Sequence, residues 1–305
     1  MTKRVEVVGL VPNPSDRADD RHGHIPMPPR QTHPPSSPAG PPPFAPGALW
    51  RWPLARDVSW TDRQLIRVFA RLALTQVVTV DGWERLLPSH DPFILIANHS
   101  SRREALYLPA LFLLVRSGKP IRFLADWNYR LYPGVGYLYD HSGAITVTRK
   151  PARPRWLNRF KQRYQTARSP LDVARDTLLQ GGSVGLYPEG TVNRSALRLL
   201  RGRYGAARLS LELEVPLLPV GLRFGAGQSA NGLIDSNAPL YILVGEPLHP
   251  TVAGALVSPR QVRDWHREAM IALSALCDKP WLAQESSPTE PVHDPDKGVR
   301  GGLAC

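Results

Sequence analysis

Short apolar runs separated by amphipathic stretches fill the middle of the chain. Seven of these runs have the length and composition of β-strands: Gln76–Val80, Phe93–Ala97, Ile121–Ala125, Ala144–Val147, VGLY from Val184, LLPVGLRF from Leu217 and YILVGEPL from Tyr241. Helical patterns lie between several of them. This alternation predicts an α/β fold, a single domain with a largely parallel central sheet flanked by helices.

The clearest helical pattern covers residues 61–75. Apolar side chains recur there at helical spacing, while Arg63, Arg67 and Arg71 fall on another side. Two interpretations stay open for this basic amphipathic helix, packing onto the domain's own core or lying in a lipid interface. Further helices are expected over residues 169–180, with Ser169 as the cap and Pro170 at the first position, over residues 202–214, and from Pro259 to Leu276.

Both ends of the chain are rich in proline and poor in large apolar residues. We therefore predict a disordered Pro-rich arm at 1–56, one folded domain at 57–281 and a disordered tail at 282–305. No apolar run reaches the 18 or so residues that a membrane-spanning helix needs, and the N-terminal residues lack the layout of a secretory signal.

Charge and cysteine content limit the classes of partner and the compartment that we expect. Of 38 basic and 26 acidic residues, 29 and 18 fall in the predicted domain, which leaves it about +11. Such a surface attracts an anionic membrane, phosphorylated substrates, an acidic carrier protein or nucleic acid. The two cysteines, Cys277 and Cys305, exclude a disulfide framework and a cysteine-built zinc site, and indicate a reducing, cytoplasmic setting.

The strongest basic feature lies between His141 and Leu171, where no acidic residue occurs. Basic residues alternate with aromatic ones there: Arg149, Lys150, Arg153, Arg155, Arg159, Lys161, Arg163 and Arg168 with Trp156, Phe160 and Tyr164. A solvated face, or docking to anionic lipid or an acidic acyl carrier, fits this pattern. No nucleic-acid motif accompanies it, so nucleic acid is not the expected partner.

The candidate chemistry begins at His99, which follows the apolar run Phe93–Ala97 and precedes a helical stretch. A histidine side chain titrates near neutral pH and can act as a general base, and Glu104 is the obvious carboxylate to orient it. Side chains five residues apart on one helix point about 140° apart, so contact requires His99 to precede the helix. Alternatively, Ser101 and Glu104 match a capping box, in which Glu104 only bonds backbone amides.

Four short blocks in order resemble the glycerolipid acyltransferases typified by 1-acylglycerol-3-phosphate acyltransferase. The family's Asn-His-x-Ser-x-x-Asp block resembles Asn98, His99, Ser101 and Glu104, and its Gly-x-Ile-x-x-x-Arg block resembles Gly143, Ile145 and Arg149. Its Phe-Pro-Glu-Gly-Thr block resembles Tyr187, Pro188, Glu189, Gly190 and Thr191, and a later Pro-containing block resembles Val215 to Gly221. The resemblance covers about residues 77–248.

This resemblance implies roles for individual residues. His99 deprotonates an acceptor hydroxyl that attacks an acyl thioester, and Glu104 orients the imidazole. The acceptor's glycerol and phosphate are bound by Gly143, Arg149, Glu189, Gly190 and Thr191, with Arg194 as substitute for the family's arginine after Glu-Gly-Thr, where Val192 stands. Acyl-CoA or acyl carrier protein is the implied donor, a lysophospholipid the acceptor, and no cofactor or metal is implied.

Two departures from the family pattern keep rival functions open. Glu104 is one methylene longer than the family's aspartate, and Val192 replaces its arginine, so a catalytically weakened lipid-binding or tethering protein is the alternative to an enzyme. A third possibility is an esterase using Ser183, although the order of strand and helix around it is the reverse of a hydrolase elbow. We expect an acyltransferase held peripherally on the inner face of the cell membrane.

Overall fold

The structure is a computed structural model that describes residues 44, 47–132, 134–149, 151–152, 155–225, 232–251 and 256–281. The predicted disorder of residues 1–43 and of the tail at 282–305 lies outside this part of the chain. Lys150 and Arg153 of the basic stretch also lie outside it.

Seven strands form one sheet in the order β1-β7-β6-β2-β5-β3-β4. β7 pairs in parallel with β1 and antiparallel with β6, and every other pair is parallel. The strands are β1 (Val77–Asp81), β2 (Ile94–Ala97), β3 (Ile121–Asp126), β4 (Ile145–Val147), β5 (Ser183–Leu186), β6 (Leu217–Phe224) and β7 (Leu240–Val244). The α/β fold with a largely parallel sheet is thus confirmed.

In the part of the chain that the structure describes, seven α-helices accompany the strands. They are α1 (Ala48–Arg51), α2 (Trp60–Ala73), α3 (Glu104–Val115), α4 (Val135–His141), α5 (Pro170–Leu179), α6 (Gly205–Leu213) and α7 (Pro259–Cys277). The expected cap of α5 is present, because Ser169 Oγ accepts a hydrogen bond from Asp172 N. The basic-aromatic stretch forms a 3-10 helix over Arg155–Tyr164.

Helices cover both faces of the sheet, and β2 lies between two apolar clusters. Because alternate residues of a strand face opposite sides, Phe93, Leu95 and Ala97 join the cluster with α2 and α3, whereas Ile94 and Ile96 join the one with α5, α6 and α7. Burial on both faces explains why the β2 sequence is a continuous apolar run rather than an alternating one.

The folded part begins earlier in the chain than the predicted boundary at residue 57. Leu49, in α1, is 3% exposed and Trp52 is 5% exposed, and both belong to the cluster that contains α2. Trp52 also packs edge-on against Trp83 at 5.7 Å between ring centroids. The disordered arm therefore cannot include these residues, since isolated large apolar side chains can anchor a proline-rich segment to a core.

The amphipathic helix α2 packs on the core with its apolar face. Ile66, Ala70 and Ala73 are buried there, which matches the first of the two interpretations, while Trp60 and Leu72 stay exposed. Within the described ranges, none of the helices is both long and apolar enough to cross a bilayer.

Candidate active site

The loops that follow β2 and β5 meet at the carboxyl edge of the sheet. These strands are parallel neighbours, and the helices α3 and α6 that follow along the chain pack on opposite faces. Such a divergence leaves a crevice at the carboxyl ends of the strands, where ligands of parallel α/β proteins bind. His99 follows β2 into this crevice, and Tyr187 follows β5.

His99 and Glu104 form the predicted pair. His99 Nδ1 lies 3.0 Å from Glu104 Oε2, with the histidine 9% exposed and the glutamate fully buried. α3 begins at Glu104, so His99 stands in the loop before the helix, the arrangement that contact requires. The extra methylene of glutamate therefore does not prevent the pair from forming.

Stacking against Tyr187 fixes the plane of the His99 ring. The imidazole ring lies over that of Tyr187, with 4.2 Å between centroids and 21° between planes. Nδ1 faces Glu104, and His99 Nε2 makes no hydrogen bond to the described residues. A carboxylate on Nδ1 favours the tautomer in which Nε2 is unprotonated, so Nε2 is the nitrogen that can accept a proton from a substrate.

Glu104 also organises the backbone of the loop, but without a capping box. Ser100 N donates to both carboxylate oxygens, at 3.1 and 2.8 Å, whereas Ser101 Oγ accepts from Arg103 N. Burial raises the pKa of Glu104, and the hydrogen bond from His99 opposes that rise. One carboxylate therefore orients the base and also bonds the backbone of its loop, although the capping box itself does not form.

Glu189 is buried, and both of its carboxylate oxygens accept hydrogen bonds from other residues. Oε1 accepts from His99 N at 3.1 Å, and Oε2 accepts from Asn193 Nδ2 at 2.7 Å and Leu200 N at 3.0 Å. The side chain is 6% exposed. These contacts indicate that Glu189 joins the His99 loop to the loop after β5, whereas a contact with the acceptor was predicted for it.

Sequence reasoning missed the tether that Asn98 provides. Its Oδ1 accepts from Leu222 N at 2.7 Å and its Nδ2 donates to Leu222 O at 3.0 Å, which fixes the end of β2 to β6. The only available signal was its place beside His99, because the partner lies 124 residues away.

The remaining predicted residues divide between the two edges of the sheet. Gly190 has φ 68°, and a Cβ there would lie 2.6 Å from Arg203 Nε, so the position favours glycine. Thr191 and Arg194 follow in the same loop and are exposed. Arg149 is exposed two residues beyond β4, at the carboxyl edge and roughly 14 Å across the sheet from β2.

Gly143 does not reach this edge. It precedes β4, with φ 59°, and its carbonyl accepts from Arg122 Nε at 2.7 Å near the start of β3. Since β4 runs parallel to β2 within the sheet, Gly143 lies on the amino-terminal side, away from His99. This position argues against the predicted contact of Gly143 with substrate, and its positive φ fits a turn before β4.

Ser183 also lies at the amino-terminal edge. It is the first residue of β5, is fully buried, donates to Asp91 and accepts from Phe93 N at 3.0 Å. A serine at the opposite end of its strand from His99 cannot be activated by that base, so the geometry opposes the esterase hypothesis.

Tyr187 contains a buried hydroxyl without a hydrogen-bond partner among the described residues. Burial raises its pKa well above 10.

Because leaving a buried hydroxyl unpaired is unfavourable, we expect Tyr187→Phe to raise the free energy of unfolding by about 1 kcal/mol in urea titrations. The matched control is Tyr139→Phe, which removes the hydroxyl that donates to Ala105 O at 2.9 Å and should destabilise. A loss of stability in both variants would contradict this prediction.

Comparisons with known proteins agree with the ordered motifs. Residues 77–223 match the sequence model of the family described as Acyltransferase. The chain is 28% identical over 145 residues to a 1-acyl-sn-glycerol-3-phosphate acyltransferase of Chlamydomonas reinhardtii, covering 48% of this chain and 38% of that protein. It is 28% identical over 149 residues to a lyso-ornithine lipid O-acyltransferase of Pseudomonas aeruginosa, covering 48% of each.

Among solved structures, the chain is similar to the 1-acyl-sn-glycerophosphate acyltransferase PlsC of Thermotoga maritima, with a TM-score of 0.48, 20% identity and coverage of 75% of this chain and 86% of that one. The chain spans less than half the length of the curated relatives it matches. Over residues 77–223 the chain is thus similar to the acyltransferase family, and the two curated relatives are glycerolipid or lysolipid acyltransferases by name.

Proposed function

We propose that the chain transfers a fatty acyl group from acyl-CoA or acyl carrier protein to the hydroxyl of a lysophospholipid or glycerol-phosphate acceptor. The observation that carries this proposal is the His99–Glu104 pair, in which Nδ1 is held at 3.0 Å while Nε2 is left for a substrate. The two curated relatives are named as acyltransferases that act on a lysolipid or an acylglycerol phosphate, and the proposal extends that chemistry to this chain.

The reaction needs one base and no covalent acyl-enzyme. His99 Nε2 takes the proton of the acceptor hydroxyl as its oxygen attacks the thioester carbonyl carbon, and Glu104 stabilises the imidazolium. The tetrahedral intermediate then expels the thiolate with cleavage of the C–S bond. The thiolate takes the proton from Nε2, which leaves an ester, a free thiol and the starting imidazole.

Basic residues at the same edge of the sheet supply the acceptor site. Arg149 beyond β4 and Arg194 beyond β5 are both exposed there, and a guanidinium offers a planar pair of donors to phosphate oxygens. Arg203 passes over Gly190, which brings a third guanidinium to the loop after β5. Thr191 is exposed in this loop and can contact the glycerol. Positive charge at this edge fits an acceptor with a phosphate headgroup.

The segment Arg155–Tyr164 is the proposed contact with an anionic membrane. Trp156 is 58% exposed, and the guanidinium of Arg159 lies 4.9 Å from its ring and 4.7 Å from the ring of Phe160. Such aromatic side chains enter a headgroup layer while neighbouring cations contact lipid phosphates. This supports a peripheral position on the inner face of the cell membrane.

We expect Trp156→Ala to weaken binding to anionic vesicles about 10-fold, because one large aromatic contact with the membrane is lost. Cosedimentation with phosphatidylglycerol vesicles measures the effect. Trp60→Ala, which removes the 73% exposed tryptophan at the start of α2, is the comparison. Equal binding by Trp156→Ala and the wild type would contradict a membrane contact at this segment.

The rival function is lipid binding without catalysis on the same scaffold. The departure that motivated it at position 104 does not disturb the pair, because Glu104 contacts His99 despite its extra methylene. The second departure is Val192, which stands where the family has an arginine for acceptor recognition. Arg194 and Arg203 lie in the same loop and can supply a guanidinium in its place. The geometry therefore favours the enzyme.

The test is a mass-spectrometric screen of the full chain. Acyl-CoA and acyl carrier protein thioesters are each offered with lysophosphatidate, lysophosphatidylglycerol and a lyso-ornithine lipid, and the acylated products are measured. We expect ester formation, with phosphate-bearing acceptors preferred. Binding to lysolipid vesicles without any acylated product would favour the rival function.

A further inference from the structure

The residues just after α7 contact both loops of the candidate site. Pro280 O accepts from Leu199 N at 3.0 Å, and Trp281 Nε1 donates to Arg201 O at 3.2 Å, so these two residues support the loop after β5. Lys279 reaches the other loop, because its Nζ donates to Ser100 Oγ at 2.7 Å. This segment lies outside residues 77–223 that match the family model.

Lys279 is 5% exposed, an unusual degree of burial for a lysine. Its hydrogen-bond acceptor, Ser100, is 1% exposed and donates its own N–H to both oxygens of Glu104. A continuous set of contacts thus runs from the ammonium through Ser100 to Glu104 and on to His99 Nδ1. The ammonium, together with Asn98 Nδ2 at 3.3 Å, thus holds the hydroxyl of the residue that bonds the carboxylate.

Charge gives a second reason for the ammonium at this place. Glu104 and Glu189 are both buried beside the His99 loop, and both attract the charge of Lys279; the buried thiol of Cys277 is its other titratable neighbour. Burial lowers the pKa of Lys279, and these carboxylates oppose that change. With Lys279 charged and the imidazole neutral, the cluster of Lys279, His99, Glu104 and Glu189 carries one net negative charge, which proton uptake by the imidazole cancels.

We propose that Lys279 is a positioning residue for the His99–Glu104 pair, holding the loop through Ser100 and offsetting the charge of one of the two buried carboxylates. This inference rests on the proposed function, because the step it serves is the proton transfer at His99. Because its ammonium bonds Ser100, we expect it to act on the pair and not on substrate binding.

Three variants separate the hydrogen bond from the charge. Lys279→Met removes both, Lys279→Gln keeps a donor without the charge, and Ser100→Ala keeps the charge without the contact. Lys119→Met is the matched control, since Lys119 lies at the amino-terminal edge, where it pairs with Asp91 at 2.7 Å while Arg116 also holds that carboxylate.

The first readout is the pH dependence of kcat with the substrates found for the wild type. Without the ammonium the cluster takes up a proton more readily, so in Lys279→Met and Lys279→Gln the acidic limb should move to higher pH by about one unit. At pH 7 their kcat should fall several-fold, by no more than about 10-fold, while KM changes less than twofold. Lys119→Met should match the wild type, and an unmoved limb in both Lys279 variants would overturn the charge role.

The second readout needs no activity. Hydrogen exchange of the peptide covering residues 98–104, followed by mass spectrometry, should be faster in Lys279→Met and Ser100→Ala than in the wild type and unchanged in Lys119→Met. Unaltered exchange in both would overturn the positioning role. If the wild type transfers no acyl group, the proposed function fails, whereas this exchange result still decides whether Lys279 orders the loop.

Discussion

Replacement of His99 by alanine should reduce kcat for acyl transfer about 10³-fold, the range over which a general base accelerates proton transfer. The imidazole is held between Glu104 and Tyr187. KM for the thioester should change little, because the base acts on the acceptor hydroxyl. Release of the carrier thiol, followed continuously by absorbance, measures both constants.

His90→Ala is the control for this variant. His90 is exposed and precedes β2, so it lies at the edge of the sheet opposite the site, and its loss should leave kcat unchanged. Far-ultraviolet circular dichroism and thermal unfolding establish that both variants fold. Activity within a few-fold of the wild type in folded His99→Ala would show that this residue is not the base.

Replacement of Glu104 by glutamine should lower kcat by about 10² to 10³-fold, because an amide neither stabilises the imidazolium nor fixes its tautomer as a carboxylate does. Glu104→Asp keeps the charge but shortens the side chain by about 1.5 Å, which lengthens the 3.0 Å contact with His99. We expect an intermediate loss for aspartate, about 10-fold. Equal activity in all three proteins would contradict the role of this pair.

The same glutamine variant should be more stable than the wild type above acidic pH. Burial raises the pKa of Glu104 above its ordinary 4.5, so the folded protein binds this proton more tightly than the unfolded chain does. Wild-type stability is therefore lost as pH rises from 4.5 through the raised pKa, while Glu104→Gln has no such loss. The two should unfold alike near pH 4 and diverge at pH 8, by about 1.4 kcal/mol per unit of raised pKa.

The order of strands and helices was predictable because the local pattern decides it. β2 is an apolar run buried on both faces, and α5 carries its serine cap and first-turn proline in the sequence itself. The short helices were not predicted. α4 has only seven residues, and α1 stands in a proline-rich stretch whose two buried residues, Leu49 and Trp52, give no periodic signal.

The site was predicted to the extent that its residues are close in sequence. His99 and Glu104 are five residues apart, and their separation sufficed to place one before the helix and one in its first turn. The hydrogen bonds of Glu189 and Lys279 join segments 90 and 179 residues apart, which no local pattern encodes. The substrate contact predicted for Gly143 came from the family motif alone, although the predicted strand Ala144–Val147 already placed this residue before β4.

The most direct test of the central claim is one stoichiometric measurement on the wild type. A carbon-13-labelled acyl thioester is incubated with a lysolipid found as an acceptor, and the released thiol and the labelled ester are quantified in the same sample. Direct transfer by the His99–Glu104 pair predicts equal amounts of thiol and ester, with no acyl group on the protein. Thiol released with labelled free fatty acid instead of ester, or a stable acylated protein, would contradict it.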